Sequence, residues 1–235
     1  LLIDHFQEAC VLQDKTIARM VGALFLTTMI AGMIDSYVAM PLLSTSLGNI
    51  LAHRGTILLG VFLVIFMSLG IVGIALLLFP VLKRHNALIA STYLTFRAIE
   101  CVLLLVGALV PLYILALSQS AQSADASSIA ALQSLAPLAM KVRLSAFQIA
   151  MTILGLNSVV LCSLLFQTRL IPRWLALTGI IGYALLLLSA VLDLCGLIST
   201  TGLGGLLYIP GGLFETILLP FWLMAKGFNG SKEMA

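Results

Sequence analysis

Apolar residues fall in six long runs separated by short polar intervals, and inside the runs apolar and polar positions do not alternate. Runs of this kind predict helices, because about 20 residues at helical rise cross the hydrocarbon core of a bilayer, whereas barrel strands alternate. The pattern predicts spans at residues 20–43, 56–82, 87–117, 137–166, 174–197 and 206–225. The first run is longer than a signal core and no small-x-small site follows it, so it reads as a retained helix. Residues 1–19, with Asp4, His5, Glu8, Asp14, Lys15 and Arg19, are expected to form a short helix on the membrane surface. Lys83, Arg84 and His85 close spans two and three into a hairpin. Residues 118–134, rich in Ser, Ala and Gln with a single Asp125, read as the longest exposed loop, and residues 198–205 read as an uncharged turn. The expected fold is all-α: a polytopic transmembrane bundle over residues 20–226, with a segment at 1–19 and a tail at 227–235, both cytoplasmic.

Composition agrees with lipid as the main solvent. Of the 235 residues 61% are apolar and 9% charged, and the mean hydropathy is +1.17. The net charge of +3 comes from Lys and Arg near span ends, without interleaved aromatics, which excludes nucleic acid as an expected partner. Lys15, Arg19, Lys83, Arg84, Arg169, Arg173, Lys226 and Lys232 lie on one side, and Arg54, Lys141 and Arg143 on the other. Cytoplasmic loops keep the basic residues, so both termini are expected inside. The four cysteines read as apolar fillers.

Five charges fall within predicted spans: Asp35, Arg97, Glu100, Asp193 and Glu215. A lone charge there costs a few kcal/mol, about 2.5–3.5 on insertion scales, so these side chains are expected to face the bundle interior and find partners. Span one presents Thr28, Ala31, Gly32, Asp35 and Ala39 on one narrow face. Span three sets Tyr93, Arg97 and Glu100 on one stripe; span four does so with Lys141, Ser145, Gln148 and Thr152, and span five with Gly182, Ser189 and Asp193. The four acids and Arg97 are expected to form one network, with Lys141 reaching in from the outer edge and Arg143 snorkelling to the outer headgroups. Pro220 leaves the carbonyl of Thr216 without its helical donor, beside Glu215. His5, His53 and His85 lie outside the spans and never pair at metal-ligand spacing, so no metal and no cofactor is expected. There is no Gly-x-Ser-x-Gly elbow, phosphate-binding loop or Cys-x-x-Cys pair.

Several stretches together resemble a family of uncharacterised bacterial six-helix membrane proteins, a domain-of-unknown-function family. They are Asn49-Ile50-Leu51-Ala52, Phe96-Arg97-Ala98-Ile99-Glu100, Arg169 through Leu175, Gly179 with Gly182-Tyr183, and Glu215 followed by Phe221-Trp222-Leu223-Met224-Ala225-Lys226-Gly227. The resemblance covers roughly residues 15–228 and implies a bacterial inner membrane and weight on Arg97, Glu100, Pro172, Arg173, Glu215 and Trp222. It implies no activity. Span four departs from the pattern at Lys141, Arg143, Asn157 and Cys162.

Three readings stay open. In the first, Asp35, Arg97, Glu100, Asp193 and Glu215, with Tyr93, Lys141, Gln148 and Trp222, line an interior site for a small molecule or ion. Six spans are few for a lone secondary transporter and no inverted repeat is visible, so transport implies a homodimer. In the second, paired carboxylates act on a lipid or isoprenoid whose anionic headgroup is held by Lys83, Arg84, Arg169 and Arg173. In the third, the protein is a non-catalytic partner that works through helix contacts, and membrane lipids are its main surroundings.

Overall fold

A computed structural model describes residues 2–200 and 202–229. The chain enters on α1 (Leu2–Ile34), which continues through a π-helical turn (Asp35–Ala39) and a 3-10 turn (Met40–Ser44). There follow α2 (Leu47–Ala52), α3 (Arg54–Lys83), α4 (Ala87–Ser120), α5 (Ala126–Thr168) and α6 (Arg173–Leu194). A 3-10 stretch (Leu203–Tyr208) then leads into α7 (Ile209–Leu213), a second π-helical turn (Phe214–Leu218) and α8 (Leu219–Ala225). Among the described residues six segments are long and apolar enough to cross a membrane: Asp14–Ser44, Arg54–Lys83, Ala87–Ser123, Ser127–Thr168, Arg173–Leu194 and Gly204–Ala225. The protein is an all-α bundle with six candidate spans, as the apolar runs predict.

Local chemistry sets the joints. Asn86 stands before α4 and its side chain accepts from the Ile89 N–H at 3.0 Å, an N-cap that lets α3 and α4 turn tightly on each other. Arg169 takes a left-handed conformation, φ 56°, to end α5, and Pro172 precedes the first residue of α6.

Three sequence expectations are corrected. Residues 1–19 are not a separate surface helix, because α1 runs unbroken from Leu2 into the first span; the side chains of Asp4, His5 and Glu8, and all of Lys232, lie outside the described residues. The supposed long loop at 118–134 shrinks to residues 121–125, since α5 already begins at Ala126. Its Ala, Leu and Gln residues are good helix formers, and a polar helix is stable outside lipid when it continues a membrane helix. The sixth span is not one regular helix but the 3-10, α and π pieces named above, with Pro210 and Pro220 at two of the junctions.

Each span packs on the next, α1 on α3, α3 on α4, α4 on α5, α5 on α6 and α6 on α7, while α8 returns to α1, so the spans close into a ring. Glycines seat α1 on both sides. A Cβ on Gly70 of α3 would fall 2.3 Å from Thr28 Cγ2, and one on Gly22 would fall 2.8 Å from the Pro220 carbonyl oxygen. Thr28, Ala31, Asp35 and Ala39 are buried, so the narrow small-residue face of span one is real.

There are two apolar cores. The large one fills the ring, and a smaller one gathers Leu43, Leu47, Ile50 and Ile57 with Ile114 and Ala136 beyond it. Helix length explains the second. At 43 residues α5 is about 65 Å long, twice the hydrocarbon thickness, whereas α6 with 22 is about 33 Å. The surplus of α5 packs with α2 and the end of α4.

Candidate functional site

Successive turns of α4 bury Tyr93, Arg97 and Glu100, each 1% exposed. All three guanidinium nitrogens of Arg97 bond there. Its Nε donates to the Tyr93 hydroxyl at 3.1 Å, Nη1 to the two Glu100 oxygens at 3.4 and 3.2 Å, and Nη2 to Glu215 Oε1 at 3.3 Å. In the closed ring the third and sixth spans stand opposite, so the Arg97–Glu215 pair crosses the bundle axis. Asn157 of α5 donates to the Tyr93 carbonyl at 3.2 Å, and Tyr183 of α6 packs edge-on against Phe214, the neighbour of Glu215, at 5.7 Å between centroids.

A second pair crosses the axis between the first and fourth spans. Arg143 Nη2 donates to Asp35 Oδ2, both side chains nearly buried, while Arg143 Nη1 has no hydrogen-bond partner among the described residues. Gly60 of α3 makes room for the acid: a Cβ there would lie 2.5 Å from Ala39 Cβ and 2.8 Å from Asp35 Oδ1.

The two cross-axis acids share a backbone setting. Asp35 opens the π-helical turn Asp35–Ala39 and Glu215 lies in the π-helical turn Phe214–Leu218, and a proline, Pro41 or Pro220, stands two residues beyond each turn. Proline cannot donate to the preceding turn and clashes with it, and a wider turn relieves both. Single π turns recur at functional sites.

The third polar group sits at the C-terminal end of α6. Asp193 Oδ2 accepts from the Thr200 N–H at 2.6 Å and the Thr200 hydroxyl at 2.7 Å; Gln148 donates to that hydroxyl and accepts from the Tyr208 hydroxyl at 2.6 Å. These bonds pin the connection after α6 to α5.

The expected single network is therefore three groups: Glu100 and Glu215 share Arg97, Asp35 meets Arg143, and Asp193 meets Thr200. Arg143 does not snorkel. The interior face of α5 runs through Arg143, Ala146, Ala150, Leu154, Asn157 and Leu161, all buried, and the Lys141–Ser145 stripe lies at its exposed edge. Lys141 accordingly stays out of the interior. Trp222 is not in the Arg97 group either: it meets Trp174 edge-on at 6.2 Å, and its buried Nε1 has no partner among the described residues. Among the described residues no three His, Cys, Asp or Glu side chains come together to hold a metal ion.

A family model described as a domain of unknown function, DUF4386, matches residues 20–227. The chain belongs to the DUF4386 family. No curated protein and no solved structure matches it. The DUF4386 match contains both cross-axis pairs, Arg97 with Glu100 and Glu215, and Asp35 with Arg143.

On the opposite side of this DUF4386 protein the four basic residues are divided among separate tasks. Arg84 grips Asp14 with two hydrogen bonds, 3.0 and 2.5 Å, tying α1 to the α3–α4 turn. Lys83 lies over the Phe79 ring and Arg173 over Phe166, at 5.7 and 5.3 Å from the centroids, and Arg169 forms the left-handed end of α5. Burial of its ring and the adjacent Arg84 guanidinium lower the pKa of His85 from its ordinary value, with Asp14 opposing.

Proposed function

We propose that this multi-pass membrane protein binds and moves a proton or another small monovalent cation at the Arg97 group. One observation carries the reading: two buried carboxylates, Glu100 and Glu215, converge on a single guanidinium. The group is one positive charge short of neutrality, and in a medium that penalises net charge one small cation completes it. Its place on the bundle axis and the π turn under Glu215 support movement as well as binding. Arg97 lies about 15 Å along α4 from Ala87, and Asp35 about 30 Å along α1 from Asp14, which Arg84 holds beside that same helix start. The Asp35–Arg143 pair then acts as the outer closure of the axial path. Trp222, Lys141, Gln148 and Asp193 do not belong to the cation site.

The same reading puts the protein in a bacterial cytoplasmic membrane with both termini inside, on the strength of the Lys and Arg asymmetry. Transport by six spans uses a homodimer. In liposomes carrying a pH dye, the wild type is expected to dissipate an imposed proton or sodium gradient and Glu215→Gln to lose most of that rate. Rates equal to those of empty liposomes for both proteins would contradict the proposal.

A second reading, a non-catalytic protein working through helix contacts, is favoured by the pairing of Asp35, Glu100 and Glu215 with guanidinium groups. It predicts that Glu215→Gln changes stability alone.

A further inference from the structure

Outside the ring interior, α5 and the end of α6 enclose a cleft of about 240 Å³ lined by Lys141, Leu144, Ser145, Gln148, Asp193 and Leu194. An adjoining cleft of about 360 Å³ shares Lys141 and Leu144 and is walled by Leu43, Leu47 and Met140. The smaller cleft holds one cation and one anion that form no ion pair with each other, and Lys141 has no acidic partner among the described residues. Its floor is fixed, because Gln148, Thr200, Asp193 and Tyr208 are already bonded to one another.

Depth decides what such a cleft meets. Asp193 is the penultimate residue of α6, a helix about 33 Å long, so the cleft opens where a helix just long enough to cross the hydrocarbon ends, at the level of lipid headgroups. From Leu194 in its wall, Val191 and Leu188 of α6 follow at a spacing of three residues, all three exposed. This apolar strip continues from the charged cleft into the layer occupied by acyl chains.

We infer that the cleft is a binding site for a zwitterionic aminophospholipid of the outer leaflet, with the phosphate on Lys141 and Ser145, the ammonium at Asp193, and the chains along Leu188, Val191 and Leu194. A single-sign headgroup satisfies only one of the two charges. The inference stands apart from the cation site, since Arg97, Glu100 and Glu215 do not line this cleft.

The test is native mass spectrometry of the full chain from nanodiscs of equal phosphatidylethanolamine and phosphatidylglycerol. The wild type retains phosphatidylethanolamine about fivefold over phosphatidylglycerol. Asp193→Asn, which keeps the acceptor for Thr200 and loses the charge, brings the ratio near one. Lys141→Gln lowers retention of both lipids about fivefold, and Lys141→Arg restores it. Equal adducts on wild type and Lys141→Gln, a preference that survives Asp193→Asn, or a dimer that vanishes in Lys141→Gln with lipid adducts unchanged would each overturn the site. Photo-cross-linking of wild type with a headgroup-labelled phosphatidylethanolamine gives an answer independent of variant folding. Label on residues 141–148 is expected, and label confined elsewhere would refute the inference.

Discussion

Two buried ion pairs cross the axis of this bundle, and they are built alike but balanced differently. In each, an acid on a π-helical turn followed by proline meets an arginine from the helix opposite. Around Arg97 there are two acids, and each of the three guanidinium nitrogens has a partner in Tyr93, Glu100 or Glu215. Around Arg143 there is one acid and a spare donor, the buried Nη1. The inner group has unspent negative charge and the outer pair has an unspent hydrogen-bond donor. On the proposed reading the same backbone device serves a cation site in one place and a neutral closure in the other.

The largest effect that separates the two comes from removing each arginine. Arg97→Met leaves two buried carboxylates without a cation and is expected to cost about 3–5 kcal/mol in denaturant unfolding from mixed micelles, with partial recovery when Glu100→Gln is added. Arg143→Met strands a single acid nearer the α2 end of the bundle and is expected to cost about 1–3 kcal/mol. Equal losses would erase the distinction. Next comes the shape of the outer pair: Gly60→Ala forces a methyl against Ala39 and Asp35 and is expected to cost about 1–3 kcal/mol, while Gly48→Ala, with nothing within 4 Å, changes stability little.

The smallest effect lies outside both pairs. The pKa of His85 is lowered by burial and by Arg84, and Asp14 opposes that shift, so Asp14→Asn is expected to move its titration further down by NMR. A histidine lowered in the folded state supports folding above its ordinary pKa and loses that support as pH falls through the folded value. An unchanged His85 titration would show that the Arg84–Asp14 clamp does not reach the imidazole.

Much of the fold was legible because bilayer-length apolar runs leave few alternatives, and the small-residue face of span one was readable from helical spacing. Arg97 and Glu100 were readable as partners for the same reason, lying one turn apart. Glu215 is expected in the same network only as one of four acids within the spans, with no distance in the sequence to single it out from Asp35 or Asp193. Glu215 is 118 positions from Arg97, and Asp35 is 108 from Arg143, so nothing local announces either pair. The π turns were hidden because a 3.6-residue template does not register an inserted residue; only Pro41 and Pro220 hint at them. Lys141 is a poor guide to the inner face of α5, which Ala146, Ala150 and Leu154 mark together with Arg143. The stretch at 118–134 was read as a loop on polarity alone, although Ala, Leu and Gln continue a helix readily once it leaves lipid.

The claim that the Arg97 group holds an exchangeable cation is tested most directly by infrared difference spectroscopy of the protein in bilayers, titrated with acid and repeated in sodium and potassium. The account predicts a carbonyl band of a protonated carboxylic acid that alkali or one of the cations abolishes, that Glu100→Gln or Glu215→Gln removes, and that Asp35→Asn leaves in place. No such band and no cation-dependent change at any pH, or a band that disappears only in Asp35→Asn, would contradict it.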